Sequence, residues 1–181
     1  NSATIGFDYN IDNYDSEISI SYGQVLSDRN REHMPFSSSL NKKLSDGVGS
    51  INYKNDNKFE INYNYALDNN FKDLNYNEIG TKFETDLIKF DFNYLQEKQH
   101  VGNQEYFKTN IEFSRGDSAV LSASTKRNLV TNSAEYYNLS YEYLNDCLRA
   151  GLVFRREFYN DSELEPENSL MFKITLTPFG N

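Results

Sequence analysis

Apolar and polar residues alternate along most of this 181-residue chain. In its last clear segment, one set of alternate positions holds Leu170, Phe172, Ile174 and Leu176. The intervening set includes Ser169, Lys173, Thr175 and Thr177. Alternation with a period of two over eight or more residues indicates a β-strand with one apolar and one polar face.

About eleven segments of the chain carry this strand pattern. They are 5–11, 18–22, 51–53, 59–65, 74–83, 88–94, 107–113, 119–123, 137–143, 148–154 and 170–176. The pattern is weakest in 74–83, where the alternation changes phase near Glu78. A β-bulge or a strand end is therefore predicted at Glu78.

The connectors between these segments sort by length. Short connectors rich in turn-forming residues lie near 55–57, 84–86, 115–117 and 145–146, whereas longer polar connectors cover 27–45, 67–73, 96–104 and 159–167. In an antiparallel meander this alternation places the short turns at one end of the sheet and the long loops at the other. Outer-membrane barrels show that asymmetry, with short periplasmic turns and long extracellular loops.

These patterns predict an all-β fold, an antiparallel meander of about eleven strands in a transmembrane outer-membrane β-barrel. About ten residues per strand, tilted by about 40°, span the roughly 25 Å apolar band of such barrels. Because bacterial barrels usually have an even number of strands, residues 1–181 are expected to form a single domain on one side of a larger barrel. The predicted convex, lipid-facing residues are Ile61, Tyr63, Phe90, Phe92, Leu139, Tyr141, Phe172 and Ile174. A soluble β-sandwich is the alternative fold.

Composition narrows the function classes. Aromatic residues make up 15% of the chain although only 38% is apolar, a combination typical of a barrel whose polar lumen dilutes its lipid-facing residues. The net charge of −9 argues against a nucleic-acid partner. Since the sequence begins without Met or a secretory signal, we expect a piece of a longer precursor.

Charged residues of both signs fall on the polar positions. The predicted lumen-facing set is Lys89, Asp91, Lys108, Glu112, Glu142, Arg149, Arg155 and Lys173. Such a mixture suits a hydrated interior that holds or passes polar groups. It also suits a cross-strand network that stabilises the sheet, and the two interpretations are compatible.

The sequence contains no recognisable catalytic constellation. His33 and His100 lie in different long loops, and Gly-x-Ser-x-Gly does not occur, so we expect no enzyme and no cofactor. The acidic loop carries Asp161, Glu163, Glu165 and Glu167. Its spacing matches no known cation-binding loop, and a solvated acidic loop is the preferred interpretation over a metal site.

Cys147 is the only cysteine of the chain, so it cannot form an internal disulfide. It follows Asn145 and Asp146 in a short turn at the predicted periplasmic end. Because the periplasm is oxidising, a disulfide to a cysteine outside this sequence is the preferred interpretation. A reduced cysteine packed in the turn is the alternative.

Several motifs resemble a known family. They include Tyr22-Gly23-Gln24 before a long loop, Ser45-Asp46-Gly47-Val48-Gly49 after it, Asp146-Cys147, Arg155-Arg156-Glu157-Phe158-Tyr159, Glu165-Pro166-Glu167-Asn168-Ser169-Leu170 and Pro178-Phe179-Gly180. Together they resemble the C-terminal part of the barrel in the LptD family of lipopolysaccharide-assembly outer-membrane proteins. The likeness covers essentially the whole chain and is specific mainly from Cys147 onward, since 55–140 matches only in barrel character.

The resemblance implies a translocon that inserts lipopolysaccharide into the outer leaflet of the Gram-negative outer membrane. Its implied partners are lipopolysaccharide, membrane lipid, an LptE-like lipoprotein plug and a periplasmic lipopolysaccharide-bridge protein that binds an N-terminal domain. It also implies that Cys147 is bonded to that domain, although this chain has one cysteine where the family often has an adjacent pair. The implied lateral-gate strand contains Leu170, Phe172, Ile174, Leu176 and Pro178.

Two other functions share the same barrel features. A passive diffusion channel of the porin type also combines alternating strands with sorted loops, but it usually ends on the terminal aromatic residue of its last strand. This chain runs on through Pro178, Phe179, Gly180 and Asn181. An adhesin or autotransporter barrel would need a passenger domain.

Overall fold

The computed structural model describes residues 1–34, 39–56, 58–98, 102–116, 118–145, 148–158 and 167–176. Its eleven strands are β1 (Ser2–Asp12), β2 (Ser16–Ser27), β3 (Gly47–Asn55), β4 (Phe59–Leu67), β5 (Leu74–Glu84), β6 (Ile88–Glu97), β7 (Gln104–Arg115), β8 (Ala119–Asn128), β9 (Ser133–Asn145), β10 (Leu148–Glu157) and β11 (Glu167–Leu176). They form one sheet in the order β1 to β11, with β1 and β11 as its edges. The predicted all-β, eleven-stranded antiparallel meander is confirmed.

The strand bounds also fix the connectors. At one end of the strands they are 13–15, 56–58, 85–87, 116–118 and 146–147, and at the other they are 28–46, 68–73, 98–103, 129–132 and 158–166. We call these the short-turn end and the loop end. Long connectors were predicted at the loop end and short ones at the other end. Connector 129–132 is an exception, because it lies at the loop end but is only slightly longer than the short turns. In the described residues, no helix is long and apolar enough to span a membrane.

The strands contribute to two compact units. The first contains Asn1–Thr81 and Asn93–Glu105, and the second contains Lys82–Phe92 and Tyr106–Asn181. Within each unit, the antiparallel register decides which residues share a face, since directly opposed residues point to the same side.

In the first unit, the register aligns the apolar positions of neighbouring strands. Tyr9 of β1 lies opposite Ile20 of β2, Ile20 lies opposite Ile51 of β3, and Ile51 lies opposite Tyr63 of β4. In the second unit the same holds from β8 to β11, where Leu121, Tyr141, Leu152 and Phe172 form one such row. The faces are therefore continuous across strands, so the alternation seen in the sequence becomes a property of the sheet surface.

One register irregularity occurs where β8 pairs with β9. The pairing shifts between Lys126 and Arg127, whose partners are Tyr136 and Ala134, so that Glu135 is the extra residue. The carboxylate of Glu135 forms an ion pair with Lys126 at 2.7 Å. A bulge of this kind increases local twist and redirects side chains near a strand end.

A β-bulge or a strand end was predicted at Glu78. The strand end is wrong, because β5 continues from Leu74 to Glu84, and the bulge stays a prediction. The hydroxyl of Tyr76 donates to the Glu78 carboxylate at 2.8 Å, and the Asn64 side chain donates to the same oxygen at 3.0 Å. Tyr76 thus lies on the polar face together with Glu78. The change of phase in the sequence reflects an aromatic residue on the polar side, with its hydroxyl satisfied by a carboxylate, rather than the end of the strand.

Buried side chains are mostly polar. Ala66 is the only buried apolar residue in the described part of the chain, at 5% exposure. The buried polar residues are Ser39, Ser45, Asp46, Asn75 and Glu97. Four of these fix the end of connector 28–46 to the sheet, because Asn75 donates to the Asp46 carboxylate at 2.7 Å, Asp46 N–H donates to the Ser39 hydroxyl at 3.0 Å, and Val25 N–H donates to the Ser45 hydroxyl at 2.9 Å. The best-packed region is therefore a hydrogen-bonded rim instead of an apolar core.

Candidate functional site: an apolar band and a polar face

In the first unit, one face of β1 to β4 is apolar across the middle of every strand. Its residues are Ile5, Phe7, Tyr9, Ile11, Ile18, Ile20, Tyr22, Gly49, Ile51, Tyr53, Phe59, Ile61, Tyr63 and Tyr65. No charged residue of these four strands lies on this face. Its polar members, such as Gln24 and Asn55, lie at the strand ends.

The second unit repeats this arrangement from β7 to β11. The face contains Phe107, Thr109, Ile111, Phe113, Ala119, Leu121, Ala123, Thr125, Tyr137, Leu139, Tyr141, Tyr143, Leu148, Ala150, Leu152, Phe154, Leu170, Phe172, Ile174 and Leu176. The charged residues on it are Arg115 at the short-turn end and Glu105, Arg127 and Arg156 at the loop end. The Glu105 carboxylate accepts a hydrogen bond from the Tyr94 hydroxyl at 2.7 Å. We call the uncharged middle of these faces the apolar band.

The band is open to its surroundings. Leu139 is 49% exposed, Tyr141 48%, and Phe172, on the edge strand, 65%. Burying apolar surface contributes about 25 cal/mol per Å², and soluble monomers rarely expose contiguous apolar patches of more than a few hundred Å². All strands of the described residues belong to one sheet, so these residues contain no second sheet that could pack on the band. An apolar medium or partner is needed to cover it.

Aromatic residues occur at both margins of the first unit's band. Tyr53 and Phe59 pack edge to face at 6.2 Å near the short-turn end. Tyr65 lies towards the loop end of β4, whereas Phe7 and Tyr22, which stack at 6.0 Å, lie near the middle of β1 and β2. Amphipathic rings at two levels are typical of the aromatic girdles that flank the apolar zone of a membrane barrel.

The opposite face is lined in the middle of its strands by small polar side chains that bond across strands. Ser21 and Ser50 hydroxyls lie 2.7 Å apart, and the Asn52 amide donates to the Ser19 hydroxyl at 3.1 Å. In the second unit, the Ser122 and Ser140 hydroxyls lie 2.6 Å apart. Such pairs satisfy polar groups within the sheet while leaving the face accessible to water.

The predicted lumen-facing charges of β7 to β11 share this polar face. By register, these are Lys108, Glu112, Glu142, Arg149, Arg155 and Lys173. Lys89 joins them through ion pairs with Glu112 at 4.0 Å and Glu84 at 3.1 Å, and Asp91 follows two residues later on the same strand. Whether this face lines a lumen stays a prediction.

Ion pairs connect several of these charges. Across strands, Arg149 donates from two guanidinium nitrogens to one Glu142 oxygen, at 3.1 and 2.7 Å. Within β10, Arg155 pairs with Glu157, and it also lies over the Tyr136 ring of β9, 5.6 Å from its centroid. Both pairs join opposite charges on the polar face, as the network interpretation requires.

The predicted gate strand coincides with edge strand β11. Leu170, Phe172, Ile174 and Leu176 lie on the apolar face of that strand, which pairs with β10. All residues from Glu167 to Leu176 are exposed, as expected of an edge. Pro178 and Cys147 lie outside the described residues, so the weakened strand end and the disulfide stay predictions.

The structure adds little to the remaining candidates. His33 lies in connector 28–46, while His100 and the acidic residues Asp161, Glu163 and Glu165 fall outside the described residues. Glu167 begins β11. Within the described ranges, no group of three or more His, Cys, Asp or Glu side chains is placed to hold a metal ion.

The arginines at the loop end of the apolar face were missed by the sequence reasoning. Arg127 and Arg156 continue the phase of Thr125 and Phe154, so extending the alternation by one step would have placed them on the apolar side. The sequence analysis assigned neither arginine to a face.

Comparison with known proteins gives no further assignment. No protein-family model matches the chain, and no curated protein matches it.

Proposed function

We propose that this chain forms part of the wall of an outer-membrane β-barrel, with the apolar band against lipid and the polar face towards a hydrated lumen. The observation that carries the proposal is the apolar face of β7 to β11, whose charged residues Glu105, Arg115, Arg127 and Arg156 are confined to the strand ends. This distribution is expected of a surface in contact with lipid. A positive charge on the lipid-facing side of a barrel destabilises the protein by about 2–4 kcal/mol at the bilayer midplane and by little near the interfaces.

The alternative of a soluble β-sandwich needs a second sheet to cover the band. All eleven strands belong to one sheet, which favours an external apolar medium. The sorting of connectors by end also favours a membrane orientation, with the loop end outside the cell and the short-turn end in the periplasm.

Spin labels on adjacent residues test this orientation. With Cys147 replaced by Ser, single cysteines at Leu139 and Ser140 are labelled with a nitroxide in the protein in its native membrane. We expect the Leu139 label to collide preferentially with membrane-dissolved oxygen and the Ser140 label with a water-soluble nickel chelate. Equal access to the nickel chelate, or shielding of the Leu139 label from both reagents, would place the apolar band outside lipid.

The finer proposal is that this wall belongs to a translocon that inserts lipopolysaccharide into the outer leaflet. Its support is the family resemblance together with the position of Leu170, Phe172 and Ile174 on an edge strand. An amphiphile with a charged head and several acyl chains needs a break in the wall, where the head stays in water while the chains enter lipid. An LptE-like plug and a periplasmic bridge protein would then be the partners.

A photo-crosslinker at Phe172 or Ile174 tests the gate. Capture of lipopolysaccharide from these positions, and loss of export when the edge is covalently locked, are the expected results. If neither position captures lipopolysaccharide while lumen positions do, the edge is not the exit. If export is unaffected by the lock and small solutes pass through the purified protein, a diffusion channel describes it better.

A further inference from the structure

Two arginines interrupt the apolar face of the second unit at its loop end. Arg127 of β8 lies opposite Ala134 of β9, and Arg156 of β10 lies opposite Tyr137 of β9. The two arginines therefore flank the same strand from either side. Arg156 is level with Thr125, because both lie opposite Tyr137, so Arg127 lies two residues closer to the loop end. With strands about 4.8 Å apart and about 3.3 Å per residue along a strand, the two backbone positions are roughly 12 Å apart.

Neither arginine forms an ion pair within the described residues. The Arg127 guanidinium donates to the Asn132 side-chain oxygen at 2.6 Å. Arg156 lies over the Phe158 ring, 4.8 Å from its centroid, and that ring packs edge to face with Tyr137 at 5.6 Å. Both side chains are held by neutral groups, so their charges lack an anionic partner. The neighbouring cations on the polar face differ, since Lys126 pairs with Glu135 and Arg155 with Glu157.

An apolar groove continues from the arginines towards the middle of the band. Its volume is about 350 Å³, and its lining includes Ile111, Ala123, Thr125, Tyr137, Leu139 and Phe154. Thr125 and Phe154 each precede one of the arginines by two residues, so the groove begins one side chain below both. It exists because Ala123 and Thr125 are small beside the larger Tyr137, Leu139 and Phe154.

We propose that Arg127, Arg156 and this groove form a binding site for one anionic membrane lipid, with the lipid phosphate between the guanidinium groups and an acyl chain in the groove. The planar guanidinium donates two parallel hydrogen bonds to phosphate oxygens, and long cationic side chains at a membrane margin extend towards the headgroups. A polar anion site joined to an apolar groove along the strand direction matches an amphiphile better than a free phosphate. The site rests on the proposed membrane orientation of the band.

Spin-labelled lipids test the site in the intact protein, reconstituted in phosphatidylcholine bilayers. The measurement is the fraction of spin-labelled phosphatidylglycerol immobilised by the protein, relative to spin-labelled phosphatidylcholine. We expect Arg127→Gln and Arg156→Gln each to lower this preference by about fivefold. Arg155→Gln removes the same charge one residue away on the polar face and should leave the preference unchanged. Ala123→Leu fills the groove and should reduce immobilisation, whereas Ala150→Leu, outside the groove on the same face, should not.

Each contrary outcome has one meaning. An unchanged preference in the Arg127→Gln/Arg156→Gln variant, or an equal loss with Arg155→Gln, overturns the site. Full displacement of phosphatidylglycerol by millimolar inorganic phosphate would show an anion site without lipid selectivity. If one of these results is obtained while the Leu139 label contacts lipid, the lipid site is wrong but the proposed barrel wall is unaffected. If the Leu139 label does not contact lipid, the proposed function itself is wrong.

Discussion

Tyr65 of β4 lies over Gly49 of β3, its directly opposed partner, so closely that a Cβ on Gly49 would come within 2.5 Å of the Tyr65 hydroxyl. The same Cβ would meet the Ser21 carbonyl oxygen of β2 at 2.6 Å. The tyrosine can rotate away, but the carbonyl belongs to a paired strand. Glycine at position 49 thus allows an aromatic ring to lie flat on the sheet at the margin of the apolar band.

Gly49→Ala is expected to destabilise the protein by about 1–3 kcal/mol, because the added methyl must push β2 and β3 apart. Denaturant unfolding in detergent micelles measures the effect. Gly23→Ala is the matched control, since nothing lies within 4 Å of its Cβ position. Equal stability of the two variants would mean that the close packing of the Tyr65 ring does not require glycine at position 49.

Leu152 and Val153 are adjacent apolar residues on opposite faces of β10. Lysine at position 152 would place a charge in the middle of the apolar band, at a cost of about 2–4 kcal/mol if that band faces lipid. Val153→Lys adds the same charge to the polar face, where water and nearby carboxylates can accommodate it. We therefore expect loss of folded protein from the membrane for Leu152→Lys alone, as measured by heat-modifiable migration on gels. Comparable loss for both variants would contradict the assignment of the two faces.

The Arg149–Glu142 pair reports on the hydration of the polar face. A pair in contact with water should show a coupling energy of about 0.2–1 kcal/mol that declines as salt is added. A double-mutant cycle with Arg149→Gln and Glu142→Gln, followed by unfolding at low and high salt, measures it. A coupling energy of several kcal/mol that does not change with salt concentration would indicate that the pair is shielded from water, which argues against a hydrated lumen.

Asp68 organises the connector 68–73 at the loop end. Its carboxylate accepts hydrogen bonds from the Lys72 amide at 3.0 Å and the Asn70 amide at 3.1 Å, and these bonds, with Lys72 contributing most, lower its pKa below the ordinary 3.8. A lowered folded pKa means that this stabilisation is present above pH 3.8 and is lost as the pH falls through the folded pKa.

Hydrogen exchange of the Lys72 amide is the measurement for this loop. After correction for the intrinsic rate, its protection should stay constant down to about pH 4 and then decrease as Asp68 is protonated. In Asp68→Asn, protection should be lower near neutral pH and independent of pH in this range. A wild-type profile without a decrease would show that the carboxylate does not hold the loop.

The sequence predicted the strands well because alternation is enforced wherever the two faces of a sheet meet different environments. Segments such as 59–65 and 137–143 were placed within a few residues of β4 and β9. The assignment was weakest in β5, where Tyr76 lies on the polar face and donates to Glu78. A tyrosine can serve either face, since its ring is apolar and its hydroxyl is polar, and alternation alone does not decide between them.

Other features depend on register, which the sequence does not specify. The bulge that places Glu135 beside Lys126 needs the pairing of β8 with β9. The contact between Asp46 and Asn75 joins residues far apart in the chain, and nothing in the local pattern of either residue predicts it. The arginine pair and its groove similarly follow from two strands being placed on either side of β9. Period-two patterning thus predicts faces, whereas the sites on those faces require the three-dimensional arrangement.

The edge position of β11 has a consequence for biogenesis. Its exposed backbone groups and its apolar row can template pairing with any other extended chain, which is the usual route to aggregation. For the proposed barrel wall, a newly made polypeptide with such an edge would aggregate in water unless it is protected until insertion. We therefore expect holding chaperones to be required, and their depletion should convert the protein to insoluble deposits before any defect in a membrane-inserted form can be detected.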